Sequence, residues 1–504
     1  MSVRVYPVIE TDVICNDYTV RINGEQVKTN TARVSAVPHN RRWPGHQREI
    51  SQSETVQFVS LECDGPVEFS VTCNFEYDAK NVKIRPKSLG ISPRVEGGEI
   101  RFTLDKPAYF TLEVTDRRRA LHIFADKIQS YNINPEDKDV IYFGKGEHDV
   151  GMIELHSGQT LFIDEGAVVY ACVRAMDAKN IKILGRGILD NSRNKEEILF
   201  AANAVGNESA VLNAKRRHTV QIEYCDNVEI DGITMRDSLV YNIRPIGCED
   251  ITIKNVKIIG CWRYNSDGID MHNCVNVHIS NSFIRTFDDS ICVKGFDCYY
   301  DGDVEAAVHA AMYRNGKAYD VFKNVLVENC VIWNDWGKCL EIGAETRAEE
   351  ICNITFRNCD LIHLTGTALD CMNVDYADVH DITFSDINIE ADEIIPKPLI
   401  QKNDAERYIN TDAQYMPTTA GAEVVYHHEY SAGGGRRGKN RDIRFENIHV
   451  LSDKLPQFFF QGYDESHKTE NILISNFYLN GEQIKKLPES RLNIGEFAED
   501  IQLK

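Results

Sequence analysis

The stretch YNSDGIDMHNCVNVHISNSFIRTFDDSICVKG, residues 264–295, carries an aspartate at Asp267 and an adjacent pair, Asp288 and Asp289, 21 and 22 residues later. Each interrupts an apolar, β-branched run. Carboxylates gathered into one patch cannot all ionise cheaply, so one keeps its proton beside an ionised partner. Cleavage of a glycosidic bond uses that pairing, with one carboxylic acid protonating the leaving oxygen while a carboxylate activates water or attacks the sugar. Two blander roles compete: an isolated Asp-Gly is a common turn former, and clustered carboxylates can hold calcium. The chain has no repeated acidic loop of the calcium-binding kind, and no metal and no cofactor are expected.

The elements that must position these residues form a repeat. The phrases NIKILG, NVEIDG, DITIKN, NVHISN, NVLVEN, NITFRN, DITFSD, DIRFEN and NILISN begin at Asn180, Asn227, Asp250, Asn276, Asn324, Asn353, Asp381, Asp442 and Asn471. Most intervals are 23 to 29 residues, a period that signals a solenoid. Each phrase alternates as a strand does and ends on Asn, Asp or Gly, without helical periodicity between phrases. The pattern predicts an all-β chain whose main body is a right-handed parallel β-helix, residues 126–504. Coils stacked about 4.8 Å apart place like residues in columns, with Asn255, Asn281, Asn329, Asn358, Asp386, Asn447 and Asn476 as one turn column. Residues 1–125 instead hold short alternating strands such as YTVRING and EIRFTLDKPAYFTLEV, which predict an N-terminal antiparallel β-sandwich. Insertions near 296–320 and 391–440 are placed to build or cover a binding face.

Composition narrows the partners. A formal charge of −21 repels polyanions, so neither nucleic acid nor an anionic membrane surface is expected as a partner. No long apolar window or export signal is evident, and the expected address is cytoplasmic. Fifteen cysteines without C-x-x-C pairs predict buried, reduced thiols. A flat flank of the helix or the sandwich offers a surface for a homo-oligomer.

Three segments carry a family likeness: NSDGID (Asn265 to Asp270), FDDSICVKG (Phe287 to Gly295) and SLVYNIRPIGCED (Ser238 to Asp250). They resemble the N-T-D-G, G-D-D and S-P-x-W-x-I-H-P signatures of the polygalacturonases, glycoside hydrolase family 28. A sandwich ahead of a β-helix is similar to family 49, the dextranases and isopullulanases of the same clan. The resemblance implies Asp288 as general acid, Asp267 and Asp289 as the residues that position and deprotonate water, and inversion at the anomeric carbon. Asn242, Arg244, Asn265, Lys294, Lys338, Glu341 and Asp370 then fall along the groove as substrate-binding candidates. Trp262, Tyr264, Trp333, Trp336, Tyr299 and Tyr300 are aromatics that could stack on pyranose faces, or pack in the core.

Departures from the family pattern bear on substrate. Gly337-Lys338-Cys339 stands where polygalacturonases carry G-H-G, so the family histidine is replaced by Lys338. Ala368-Leu369-Asp370 replaces the R-I-K that grips a galacturonate carboxylate. The expected substrate is therefore a neutral sugar, trimmed from chain ends. A uronide hydrolase is the alternative, supported by Arg244 and Lys294. A non-catalytic carbohydrate-binding β-helix and a lyase or glycosyl-transferring enzyme on the same scaffold are the rival classes.

Overall fold

The computed structural model describes residues 2–36, 47–115, 119–194, 218–296, 311–391, 417–427, 430–431 and 436–504, with the backbone of 395–396 and 414–415. Most of both long insertions, including Tyr299 and Tyr300, lies outside the described residues.

Among the described residues thirty strands, from Val140–Phe143 to Ala498–Leu503, form one continuous array in which all but the short hairpin strand Glu482–Gln483 pair in parallel with a counterpart one coil away. This is the parallel β-helix read from the repeat. The register follows the phrases: Val277 lies opposite Ile251 and Val325, and Ile354 opposite Val325 and Ile382. Inward Ile, Val, Leu and Phe from successive coils make a single buried core along the axis. Every phrase-opening Asn or Asp has φ between 53° and 60°, a left-handed conformation these side chains tolerate better than other non-glycine residues. Their amides link neighbouring coils, Asn227 to Asn180 at 2.7 Å and Asn353 to Asn324 at 2.8 Å. The second column, from Asn255 to Asn476, is left-handed as well. The described cysteines are free thiols, and Cys225, Cys248, Cys274, Cys330 and Cys359 are buried.

The N-terminal region holds a six-stranded and a five-stranded sheet, each contributing to a shared apolar core. The five-stranded sheet is antiparallel, as expected. The six-stranded one is not wholly so. Its last hairpin, Tyr109–Glu113 with Ala120–Lys127, lands with Ala120–Lys127 parallel to Ser53–Cys63. That strand also runs past the expected division at residue 125.

A separate apolar layer joins the six-stranded sheet to one flank of the helix: Val56, Phe58 and Phe124 meet Tyr170, Phe283 and Trp333. Buried charges tie the same surfaces, with Lys257 Nζ 2.8 Å and Arg186 Nη1 3.3 Å from Asp126. Phe124 is fully buried, its ring 5.1 Å from Phe283 and 5.7 Å from Phe58. Phe124→Ala should destabilise the protein by about 3–5 kcal/mol. A lowered urea midpoint checks this; an unchanged one would mean the layer contributes little.

Candidate active site

Six strands of one helix face carry the site. They are β1 (Ile243–Ile246), β2 (Ile269–His272), β3 (Ile291–Lys294), β4 (Leu340–Ile342), β5 (Leu369–Asn373) and β6 (Ala420–Val424), paired in that order. Asp270, Cys292, Glu341, Asp370 and Gly421 occupy one register column. His272 and Lys294 occupy the column two residues on.

The catalytic candidates sit just before β2 and β3, where the coil-to-coil ladder continues through the turns. Gly268 N donates to Asp289 O at 2.8 Å, and Ser290 N donates to Lys338 O at 2.9 Å. The aspartates therefore stack on one another, and one carboxylate oxygen each of Asp267, Asp288 and Asp289 lies within 4.8 Å of the others. One-coil spacing with coils stacked about 4.8 Å apart predicts such a stack, and the structure brings the three together.

Their surroundings differ. Asp288 accepts Asn265 N on Oδ2 and Asp289 N on Oδ1, both at 3.0 Å, and is 8% exposed. Burial, reinforced by Asp289, pushes its pKa up to about 8. Asp267 is 2% exposed, and burial with Asp270 and Asp288 nearby holds it well above the usual carboxylate range. Asp289 is the most open, its side chain 19% exposed, and it accepts the backbone N–H of Lys338 at 2.8 Å. The patch thus combines two buried carboxyl groups held toward their protonated forms, Asp267 and Asp288, with the more open side chain of Asp289.

The other candidates fall into two groups. Asn242 is buried, and its amide donates to Asp267 O at 2.8 Å, so it supports the aspartate turn from beneath instead of reaching the groove. Asn265 acts through its backbone N–H on Asp288. Arg244 is held between His218 (3.2 Å) and His272 (3.4 Å). Lys294 is enclosed among carboxylates, with Asp270 nearest at 2.8 Å.

Lys338, by contrast, reaches the groove side and ion-pairs with Glu341 and Asp370, both at 2.6 Å. Burial disfavours its charge, but Asp370 and Glu341 outweigh that and raise its pKa well above a free lysine. Burial raises Glu341 well above its ordinary range, with Lys338 acting against it. Glu423, on β6, is pushed up to about 7 by burial and then by Asp370.

Trp262, Tyr264 and Trp333 are buried, so of the two roles open to them they take core packing. Trp262 donates to Asp237, and Trp333 packs in the layer against the N-terminal sheet. Trp336 is less buried and stacks on Phe287, 5.5 Å between centroids, beside the aspartate pair. Sequence reasoning missed three residues here. Asp270 and Glu423 lie on outward positions of β2 and β6 and were findable from strand alternation. Asn334, whose amide donates to Asp288 O at 2.7 Å and Lys338 O at 3.1 Å, gives no sequence signal of its own.

Residues 153–421, more than half the chain, match glycosyl hydrolases family 28. The chain belongs to that family. Family 28 is a family of glycosidases, and the match contains all three aspartates and Lys338, Glu341 and Asp370. A probable polygalacturonase of Vitis vinifera is 26% identical over 184 residues, 32% of this chain and 38% of that protein. A polygalacturonase of Gossypium barbadense is 30% identical over 122 residues, 24% of this chain and 29% of the cotton protein. The matched stretches thus span well under half of these relatives. Among solved structures, Dex49A from Penicillium minioluteum aligns over 98% of this chain and 94% of its own, with a TM-score of 0.60 and 11% identity, a likeness of fold.

Proposed function

We propose that this family 28 member hydrolyses O-glycosidic bonds with inversion, on a neutral sugar at chain ends. The observation that carries the reading is the stack of Asp267, Asp288 and Asp289 within 4.8 Å, with Asp288 held protonated by burial. Asp288 gives its proton to the leaving glycosidic oxygen. Water held by Asp267 and Asp289 attacks the anomeric carbon and loses its proton to Asp289, the more open of the two.

The neutral-sugar part is supported by the charges next along the groove. Lys338 is the cation that ion-pairs with Glu341 and Asp370, and Glu423 lies near the same pair. The Lys338 ammonium is already paired with the carboxyl groups of Glu341 and Asp370, so a uronate there finds no uncommitted cation among the described residues. The chain-end part is supported by the two long insertions. A uronide substrate is the second reading, favoured by the polygalacturonases among the relatives.

Incubation with neutral and uronic oligosaccharides of both anomers, followed by chromatography and anomeric NMR, tests all three parts. Monosaccharide release from a neutral glycan with inverted configuration is expected. Uronide cleavage would overturn the neutral-sugar reading, and a product ladder the chain-end one. Asp370→Asn should improve discrimination in favour of a uronide by about tenfold, equivalent to about 1.4 kcal/mol. An unchanged ratio of kcat/KM values would take Asp370 out of the sugar site.

A further inference from the structure

The geometry points to Lys294 as a positioning residue that sets the proton count of the catalytic aspartates, with Asp270 as its buried countercharge. The catalytic consequence rests on the glycosidase reading; the electrostatic arrangement does not.

Lys294 Nζ lies 2.8 Å from Asp270, 3.7 Å from Asp267, 3.8 Å from Asp289 and 3.9 Å from Glu345. Only Asp270 is at hydrogen-bonding distance. The side chain is 6% exposed, so its head is enclosed by protein carboxylates and not presented to a sugar. Asp270 is fully buried and does not reach the groove. Lys294 is the cation at ion-pair distance from it among the described residues. The pair sits in adjacent coils on β2 and β3, directly behind the aspartate turns.

The remaining groups facing the ammonium do not replace it. The Tyr241 ring lies 5.4 Å away. His272, on β2 beside Asp270, accepts from Arg244 and faces Gly295 O with its other nitrogen, and burial with Arg244 keeps it neutral. Cys292, on β3, is a buried thiol held protonated by burial and by Asp270. Glu341 is drawn instead to Lys338. Removing the ammonium therefore leaves the aspartates facing Asp270 unscreened, whereas removing the Asp270 charge leaves them facing a cation that has lost its nearest countercharge and keeps Glu345 at 3.9 Å behind it. The two changes act in opposite directions on the same protons.

The test is the pH profile of kcat/KM for the full chain and its Lys294→Met, Asp270→Asn and double variants. The acid limb should move up by about one pH unit in Lys294→Met and down by a similar amount in Asp270→Asn. The double variant should lie near the wild type, and Lys294→Arg should restore the limb. A purely structural role would lower activity without moving the limb, and a substrate contact would raise KM alone; either result overturns the inference. Carbon-detected NMR titration of aspartate-labelled full chain gives the same reading without substrate. If no glycan is cleaved, the glycosidase reading fails while the carboxyl titrations still decide the role of Lys294. If Lys294→Met does not fold, the downward shift in Asp270→Asn decides it.

Discussion

Asp288→Asn should lower kcat/KM on the cleaved glycan by about 10²- to 10⁴-fold, the contribution of a positioned general acid. The amide keeps the shape of the carboxyl but cannot deliver a proton to the leaving oxygen. In the wild type the same proton predicts a basic limb: activity should fall as pH rises through about 8, where Asp288 ionises. Stability carries a matching signature. An acid whose folded pKa lies above its unfolded value contributes stability that is complete below the unfolded pKa and lost as pH rises through the folded one. For Asp288 that window runs from about 4, the usual carboxylate range, to about 8. The asparagine variant loses one of the two acceptors for Asn265 N and Asp289 N, so at pH 5 it should be the less stable protein. That deficit should narrow toward pH 9, because only the wild type must ionise a buried group. Melting temperatures at both pH values, alongside initial rates, check the two halves. A variant retaining more than a tenth of wild-type activity would show that another group supplies the proton.

Much of this site was legible because a β-helix converts sequence spacing into spatial stacking. Asp267 and the Asp288-Asp289 pair are one coil apart, and the left-handed Asn columns from Asn180 and Asn255 fix the phase that makes the arithmetic hold. Depth was not legible. Lys294 and Lys338 are both outward lysines beside the aspartates, yet one is enclosed by Asp270 and Glu345 while the other stands at the groove. What separates them is how neighbouring turns close over the face, and a repeat does not encode that. Trp333 and Trp336 show the same limit: three residues apart, one packs under the N-terminal sheet and the other beside the aspartates. The parallel pairing of Ala120–Lys127 was hidden for a related reason, since alternation marks a strand but not the direction in which its partner runs.

Gly337→Ala should reduce kcat by about 100-fold without touching a functional group, because a displacement of about 1 Å at a reacting centre has that effect. A Cβ at this position would lie 2.5 Å from both Asp289 N and Asp289 Oδ1 and 2.6 Å from the Asp288 carbonyl carbon. Two of these three are backbone atoms, which cannot swing aside as the Asp289 carboxylate could, so the backbone must shift. Retreat is blocked on each side. Gly337 N donates to Phe287 O at 3.0 Å, Gly366 N donates to Gly337 O at 3.1 Å, and Trp336 is stacked on Phe287. The added methyl therefore moves Asp288 and Asp289 relative to Asp267, loosening the separation on which proton sharing depends. KM should change less than kcat, since Lys338, Glu341 and Asp370 stay paired among themselves. Rates measured together with a circular dichroism melt distinguish displacement from unfolding. Wild-type kcat in a folded Gly337→Ala protein would mean that the close stacking of the three carboxylates is not what the chemistry depends on.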